Sequence, residues 1–190
     1  MFLIDGDFWE VKDTKEKGRG VFAKKEIKAG TIIGDYIGKV IKTAEYDFSR
    51  DKGGLYLMYL NDRASIYPDL TRPGMHLLNH SCEPNCFIKI YKGHTLFFAI
   101  RDIEPEEELT ISYMLAPVEE QYTHVCKCGS KSCTGTMHLS KEKYDEWQEF
   151  QVQNKKKAGV VRFTFGKNLS RLNSYPRRIN SNRYDQLSGS

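Results

Sequence analysis

The chemically most distinctive stretch of this 190-residue chain runs from Leu77 to Cys86 and reads LLNHSCEPNC. Two leucines lead into consecutive small or polar residues, followed by a proline and a second Asn-Cys pair. This order fits neither the period of an amphipathic helix nor the alternation of a half-buried strand. The segment therefore predicts an irregular backbone that presents an amide, an imidazole and thiols in one place.

A second group of reactive side chains comprises Cys126, Cys128 and Cys133, three thiols within one short polar stretch. A structural zinc ion takes four tetrahedral ligands, usually thiolates. Three local cysteines need a fourth ligand from elsewhere, and either Cys82 or Cys86 could supply it. The spacing differs from the Cys-x-x-Cys of a redox motif beside a βαβ unit. We therefore favour zinc over redox chemistry and over three unbound thiols.

Short apolar segments separated by turn signals must position these two groups. Strands are predicted at residues 10–12, 21–23, 32–33, 35–41, 55–60, 65–67, 87–91, 94–100 and 109–113, with a hairpin turn at Lys92-Gly93. Helix is predicted at 43–52, in a short stretch after Gly74 that leads to Asn79, and at 141–151. Many short strands with little helix indicate a mainly β domain.

The bulk composition limits the class of protein. A hydrophobic content of 39% and an aromatic content of 12% fit a globular domain rather than a disordered chain. The sequence contains no run of about 18 apolar residues, so no membrane partner is expected. The first residues lack the basic and apolar regions of a secretory signal. We therefore expect an intracellular, reducing location, in which cysteines are thiols or metal ligands.

The charge of the chain is unevenly distributed. Residues 150–190 contain nine Lys or Arg and one acidic residue, a net +8, whereas the preceding 149 residues contain 20 basic and 24 acidic residues, a net −4. A basic tail can contact nucleic acid or an acidic protein, or can simply be a solvated extension. An acidic body suits a basic substrate.

Four motifs in a fixed order resemble a known family. They are Gly-Arg-Gly at 18–20, Tyr-Ile-Gly at 36–38, Asn-His-Ser-Cys-Glu-Pro-Asn at 79–85 and Glu-Leu-Thr-Ile-Ser-Tyr at 108–113, followed by Cys-x-Cys-x4-Cys. In this order they resemble the SET-domain protein lysine methyltransferases that carry a post-SET zinc motif. The resemblance covers about two thirds of the chain. It implies a SET domain at 8–114, a post-SET zinc motif at 122–139, and a C-terminal helix and basic tail at 140–190.

The resemblance implies a mainly β, β-clip-like fold of small sheets with short helices and a C-terminal pseudoknot near the Asn-His-Ser-Cys segment. It also implies S-adenosylmethionine as methyl donor and a lysine side chain as acceptor, which enter from opposite faces. The basic substrate would be a histone tail or another nuclear or DNA-associated protein, with a location in the nucleus or on the chromosome in a eukaryote.

The residues implied for the donor site fall in four segments. They are Gly18, Arg19 and Gly20; Tyr56; His76, Leu77, Asn79 and His80; and Tyr113. The glycines would let the backbone approach the donor, although a plain β-turn is the better explanation of the glycines taken alone. Asn79 would bind amino or carboxylate groups, and the backbone around His80 would read the adenine edge. Tyr56 alone could equally be a core residue.

Tyr113 matches the catalytic tyrosine of the family, and Tyr36 matches a wall of the lysine channel. A lysine with a reference pKa of about 10.4 must lose its proton before it accepts a methyl group. A cationic donor and an apolar channel both disfavour the ammonium form. The Tyr113 hydroxyl would orient the amine or stabilise the charge at the methyl group, and no metal would be needed for the chemistry.

Cys82 matches the fourth zinc ligand of the family, which would join Cys126, Cys128 and Cys133 and leave Cys86 spare. The zinc ion would fix the post-SET segment over the active site.

Several positions depart from the family pattern. His76 stands where many relatives have arginine, Ser112 replaces a common aspartate, and Arg19 replaces a frequent tryptophan. Ile111, two residues before the catalytic tyrosine, replaces a tyrosine that tends to limit methylation in relatives. We therefore expect this enzyme to proceed beyond monomethylation. The alternatives are a SET-like module that has lost catalysis and binds chromatin or nucleic acid, and a methyltransferase with a non-histone substrate.

Overall fold

The computed structural model describes residues 6–47, 55–61, 63–91, 94–119 and 124–156. Within these residues the chain forms ten strands and one α-helix, with single 3₁₀ turns at Gly6–Phe8, Thr43–Glu45 and Met75–Leu77. The elements are β1 (Trp9–Asp13), β2 (Arg19–Ala23), β3 (Ile32–Asp35), β4 (Lys39–Lys42), β5 (Met58–Asn61), β6 (Ala64–Tyr67), β7 (Asn79–His80), β8 (Cys86–Tyr91), β9 (His94–Ala99), β10 (Glu108–Ile111) and α1 (Lys141–Lys156).

The strands form three small sheets in the described part of the chain. Their orders are β1-β2-β10-β7, β3-β9-β8 and β4-β6-β5. The hairpin predicted around Lys92-Gly93 is formed by β8 and β9, which pair antiparallel from Cys86↔Ala99 to Tyr91↔His94. The predicted mainly β architecture of small sheets is confirmed.

The four-stranded sheet brings distant parts of the sequence together. Its strand β10 pairs antiparallel with β2 through Leu109↔Val21 and parallel with β7 through Thr110↔Asn79 and Ile111↔His80. A late strand is thereby inserted between an early one and a middle one. This insertion is the strand arrangement that the expected pseudoknot requires.

The side chain of Asn85 fastens this insertion. It is 2% exposed, and its Nδ2 donates to the Glu108 carbonyl oxygen at 2.8 Å and to Glu107 Oε1 at 2.9 Å. Its Oδ1 accepts from the Thr110 backbone N–H at 2.8 Å. The buried amide of Asn85, in the loop after β7, therefore hydrogen-bonds both a backbone donor and a backbone acceptor of β10.

A hydrophobic core lies between the sheets. Its fully buried members include Val21, Ile27, Ile33, Ile66, Leu78, Phe97, Ile103 and Leu109. Each buried aliphatic or aromatic side chain of this size contributes about 1.5–3 kcal/mol relative to exposure. Leu78 and Leu109 flank the site-bearing strands, so core packing and site assembly use the same elements.

The segments predicted at 55–60 and 43–52 differ from the sequence-based expectations. The strand predicted at 55–60 covers only Met58–Asn61, and Tyr56 lies in a turn where its carbonyl accepts a side-chain hydrogen bond from Tyr36 instead of a strand bond. The helix predicted at 43–52 is a 3₁₀ turn at Thr43–Glu45, because the backbone at Tyr46 is extended. The remainder of that helix lies partly outside the described residues.

The C-terminal helix α1 is confirmed and runs to Lys156, five residues beyond the predicted end at Gln151. The Ser140 hydroxyl accepts from the Lys143 backbone N–H at 3.3 Å at its start, as an N-cap serine does. The basic tail from 157 to 190 lies outside the described residues. Among the helices that are described, none is both long and apolar enough to span a bilayer.

We expect Asn85→Ala to lower the free energy of unfolding by about 2–4 kcal/mol, because it leaves the Thr110 N–H and the Glu108 carbonyl without their buried partner. Urea denaturation of the purified protein measures this change. Lys24→Ala, at an exposed side chain, is the control and should change stability by less than about 0.5 kcal/mol. A loss below about 1 kcal/mol at Asn85 would show that the amide does not fasten the strand.

Candidate active site and metal centre

Asn79 is held by two neighbours across the four-stranded sheet. Its Nδ2 donates to Glu108 Oε1 at 2.8 Å and to the Arg19 carbonyl oxygen at 3.2 Å. Both amide protons are thus used, which fixes the orientation of the side chain. The carbonyl oxygen Oδ1 has no partner among the described residues and is available to a cationic or N–H-bearing ligand.

Glu108 is anchored in turn by Lys17. Their ion pair is largely shielded from solvent, with side-chain exposures of 20% and 18%. An ion pair removed from water is screened less than a surface pair, so it holds Glu108 in one geometry more firmly. Sequence patterns alone assign neither residue a role beyond its place in the turn and strand. The available signal was the acidic residue that directly precedes the predicted strand.

The glycine loop next to Asn79 requires its glycines. Gly18 has φ +75°, the left-handed region that favours glycine, and its carbonyl accepts from the Thr14 backbone N–H at 2.6 Å. A Cβ at Gly20 would lie 2.8 Å from Glu108 Oε1 and 2.9 Å from Asn79 Nδ2. A side chain there would break the hydrogen bond that orients Asn79. Gly20 is therefore required for close approach, beyond the needs of an ordinary turn.

Tyr113 and His80 form the next part of the site. The Tyr113 backbone N–H donates to His80 Nδ1 at 3.2 Å, and the Tyr113 hydroxyl donates to the Leu78 carbonyl oxygen at 2.9 Å. Their rings meet edge to face at 5.4 Å. Burial raises the pKa of Tyr113 well above its usual value, with smaller effects of Tyr56 and Glu108. The hydroxyl is therefore neutral at physiological pH and able to donate a hydrogen bond.

Three aromatic rings form a wall beside this part. Tyr36 is 3% exposed and donates its hydroxyl to the Tyr56 carbonyl oxygen at 2.5 Å. The His76 ring meets both, at 6.4 Å from Tyr36 and 6.1 Å from Tyr56, in edge-on geometry. The nearby Leu77 side chain is buried in the core, which leaves only its backbone for ligand contact.

His76 differs electrostatically from the arginine it replaces. Burial, followed by the charge of Arg19, lowers the pKa of His76 to about 4. Its Nε2 is buried and has no hydrogen-bond partner among the described residues. The ring is therefore neutral at physiological pH, and the aromatic wall carries no cation at this position.

Four thiols lie together at the other end of the Asn-His-Ser-Cys segment. The sulfur atoms of Cys82, Cys126, Cys128 and Cys133 are all within 4.8 Å of one another. The Cys82 and Cys126 sulfurs are 3.8 Å apart, which matches the spacing of about 3.8 Å between thiolates bonded to a tetrahedral zinc ion at about 2.3 Å. This ligand set fits a structural zinc ion.

The thiol of Cys128 is suited to metal binding. Burial raises its pKa, but hydrogen bonds from the Cys82 backbone and from the side chain and backbone of Ser130 outweigh burial and lower the pKa below its usual value. A thiolate at neutral pH is the form that binds zinc. Cys86, by contrast, is 1% exposed and donates its S–H to Asn85 Oδ1 at 3.3 Å, outside the four-thiol set.

The segment that carries Cys126, Cys128 and Cys133 is joined to the Asn-His-Ser-Cys segment by hydrogen bonds as well. Glu83 Oε1 accepts from the Ser132 hydroxyl at 2.6 Å and from its backbone N–H at 3.2 Å. The Leu139 backbone N–H donates to the Leu115 carbonyl oxygen at 3.0 Å, just beyond Tyr113. Hydrogen bonds therefore join the segment of the four-thiol set both to the Asn-His-Ser-Cys segment and to the chain just after Tyr113.

A protein-family model described as "SET domain" matches residues 18–114, just over half of the chain. The chain belongs to the SET-domain family. The matched range contains all of β2 to β10, including the three motifs that meet around Asn79.

Curated relatives bear names that specify one activity. The chain is 36% identical over 134 residues to the "Histone-lysine N-methyltransferase TRX1" of Oryza sativa subsp. japonica, covering 64% of this chain and 13% of that protein. It is 36% identical over 126 residues to the human "Histone-lysine N-methyltransferase 2B", covering 61% and 5%. It is 39% identical over 161 residues to the Schizosaccharomyces pombe "Histone-lysine N-methyltransferase, H3 lysine-9 specific", covering 66% and 32%. The chain spans less than a third of each.

Solved structures of KRYPTONITE resemble this fold. One, in complex with mCHG DNA and SAH, superposes with a TM-score of 0.57 at 28% identity, covering 68% of this chain and 28% of that one. Another, in complex with mCHH DNA, an H3(1–15) peptide and SAH, gives 0.55 at 25% identity, covering 68% and 29%.

We expect purified protein to contain about one equivalent of zinc and Cys128→Ser to contain far less, because three thiolates and a hydroxyl bind zinc poorly. Elemental analysis after gel filtration measures the metal. Cys86→Ser is the matched control: it removes a thiol outside the four-thiol set and should keep the zinc. Equal loss in both variants would mean that general destabilisation, not ligand removal, releases the metal.

Proposed function

We propose that this chain is an S-adenosylmethionine-dependent protein-lysine N-methyltransferase that acts on a lysine in a basic segment, with histone tails as the first candidates. Membership of the SET-domain family supports the reaction class. The names of the relatives and the SAH in the KRYPTONITE structures support the donor, because SAH is what S-adenosylmethionine becomes after methyl transfer.

One observation carries the proposal, namely the parallel pairing of β7 with β10. This pairing places Asn79 and His80 beside the end of the strand from which Tyr113 follows. The pairing brings the Asn79 amide, which is held by two hydrogen bonds and keeps its carbonyl oxygen available, close to the neutral hydroxyl of Tyr113. These are the two groups that a donor-binding site and a methyl-transfer site need.

On the donor side, Asn79 Oδ1 would accept from the ammonium group of the methionine moiety. Gly18 and Gly20 would let the backbone approach it, with Arg19 beside them. The backbone near Leu77 and His80 would meet the adenine, and Tyr56 and His76 would pack against the donor. The ion pair of Lys17 and Glu108 keeps the Asn79 side chain in place before the donor arrives. Donor binding therefore does not have to order that side chain, which avoids a loss of conformational entropy.

The reaction is an in-line displacement. The lone pair of the neutral lysine amine would form the new N–C bond while the C–S bond of the donor breaks. The electron pair of the broken bond would pass to sulfur, which becomes a neutral thioether. Tyr113 would orient the amine with its buried hydroxyl, and Tyr36 would line the lysine channel. Positioning and electrostatics supply most of such a rate enhancement. The neutral His76 ring adds no cation that would repel the donor's positive charge.

A histone tail fits the charge of the body. Residues 1–149 carry a net charge of −4, and histone tails are rich in lysine and arginine. One KRYPTONITE structure contains an H3 peptide, and three relatives are named for histone methylation. We therefore place the activity on chromatin, in the nucleus of a eukaryotic source. The basic residues beyond Lys155 would contact DNA there, in line with the DNA in both KRYPTONITE structures.

We expect Tyr113→Phe to lose at least about 10²-fold in methyl transfer to histone octamers while it retains S-adenosylmethionine binding, because it removes the hydroxyl that orients the amine. Radiolabel transfer measures the activity, and calorimetry measures donor binding. Tyr144→Phe on α1 is the control and should keep full activity. Wild-type protein that binds the donor but labels neither octamers nor a cell lysate would favour the alternative of a binding module.

We expect products beyond monomethyl-lysine at full turnover. Ile111 is 4% exposed and offers no hydroxyl to hold a water molecule or restrain the amine, so a methylated lysine can reorient for further transfer. Mass spectrometry of an H3 peptide after exhaustive reaction distinguishes the products. Monomethyl-lysine alone would contradict this role of Ile111.

A further inference from the structure

His80 lies between the metal centre and Tyr113 and contacts both. Its Nδ1 is 3.2 Å from the Tyr113 backbone nitrogen, and its Nε2 is 3.6 Å from the sulfur of Cys82. The ring is 5% exposed. No other described side chain is hydrogen-bonded both to the four-thiol set and to Tyr113.

These contacts determine the tautomer of the ring. A backbone N–H can only donate, so His80 Nδ1 must accept and carries no proton. A neutral imidazole then carries its proton on Nε2, the nitrogen that faces the Cys82 sulfur. A distance of 3.6 Å suits an N–H···S hydrogen bond, which is longer than one to oxygen.

We propose that His80 is a positioning residue that connects the two sites, with Nε2–H donating to the zinc-bound sulfur of Cys82 and Nδ1 holding the backbone of Tyr113. A hydrogen bond to a metal-bound thiolate stabilises its charge and orients it, as outer-sphere partners do in other metal sites. At the other side of the ring, the hydrogen bond to Nδ1 fixes the position of the Tyr113 backbone just after β10. That position in turn determines the direction of the Tyr113 hydroxyl.

The same ring therefore transmits metal loading to the methyl-transfer site. Loss of zinc frees Cys82, which removes the acceptor for Nε2–H and one of the two restraints on the ring. A shift of about 1 Å in a catalytic group can reduce a rate about 10²-fold. The kinetic part of this inference rests on the proposed function, whereas the hydrogen bonds themselves do not.

Two substitutions separate the two bonds. In His80→Asn, the side-chain oxygen can replace Nδ1 as acceptor for Tyr113 but cannot reach Cys82. In His80→Gln, the longer side chain can donate an N–H to Cys82 but gives Tyr113 no acceptor in the same place. We expect zinc affinity, measured by chelator competition, to fall about tenfold in His80→Asn and to stay within about threefold in His80→Gln.

Activity should show the opposite order. We expect kcat to fall about 10²-fold in His80→Gln and less in His80→Asn, at saturating donor and zinc. Cys86→Ser serves as the control for both measurements. Equal losses of zinc affinity and kcat in the two variants would overturn the proposal, because they would make His80 a packing residue with no separate bonds.

A measurement on the wild type covers the case in which the variants do not fold. In protein loaded with ¹¹³Cd and labelled with ¹⁵N-histidine, NMR should show His80 protonated at Nε2 only, with a scalar coupling between that proton and the metal through the sulfur. A ring protonated at Nδ1, or the absence of the coupling, would overturn the proposal. Should the protein prove inactive on all substrates, the metal affinities and the NMR spectrum still decide it.

Discussion

The structure depends on the insertion of β10 between β2 and β7. A parallel strand pair cannot be closed by a tight turn, so the pairing of β10 with β7 has to be made by tertiary structure. The buried amide of Asn85 satisfies backbone groups of β10 that would otherwise be unpaired. Because one side chain supplies both donor and acceptor, this crossing has a single register. That register decides which residues stand beside Asn79 and His80.

The candidate donor site follows from that register. Glu108 lies at the start of β10 and can reach Asn79 only when β7 is beside it. Its ion pair with Lys17 extends the contact to the glycine loop before β2. Groups oriented before the ligand arrives need no reorganisation during reaction, which is the largest source of electrostatic catalysis. The fold thus positions the site through the same strands that build its core.

The metal centre has a different physical role. Small segments without their own hydrophobic core are commonly fixed by a structural metal ion. The post-SET cysteines belong to such a segment, and Cys82 ties them to the strand that carries His80. The candidate donor site and the four-thiol set therefore share a few consecutive residues, which accounts for the unusual composition of this stretch. Asn79 and His80 form the short strand β7, and the chain bends at Cys82, so a brief strand supplies the amide and the imidazole and the bend supplies the thiol.

The sequence by itself determined the family, the mainly β class and three of the four clustered thiols, because these depend on residue types and spacing that few other folds share. It left the fourth thiol open between Cys82 and Cys86 until the resemblance to relatives favoured Cys82, whose sulfur lies within 4.8 Å of the other three in the structure. Only the tertiary structure decided the turn at Tyr56, the neutral wall at His76 and the support of Asn79 by Glu108. Those features arise from burial and from contacts between segments distant in sequence. Neither can be predicted from the local pattern of residue types.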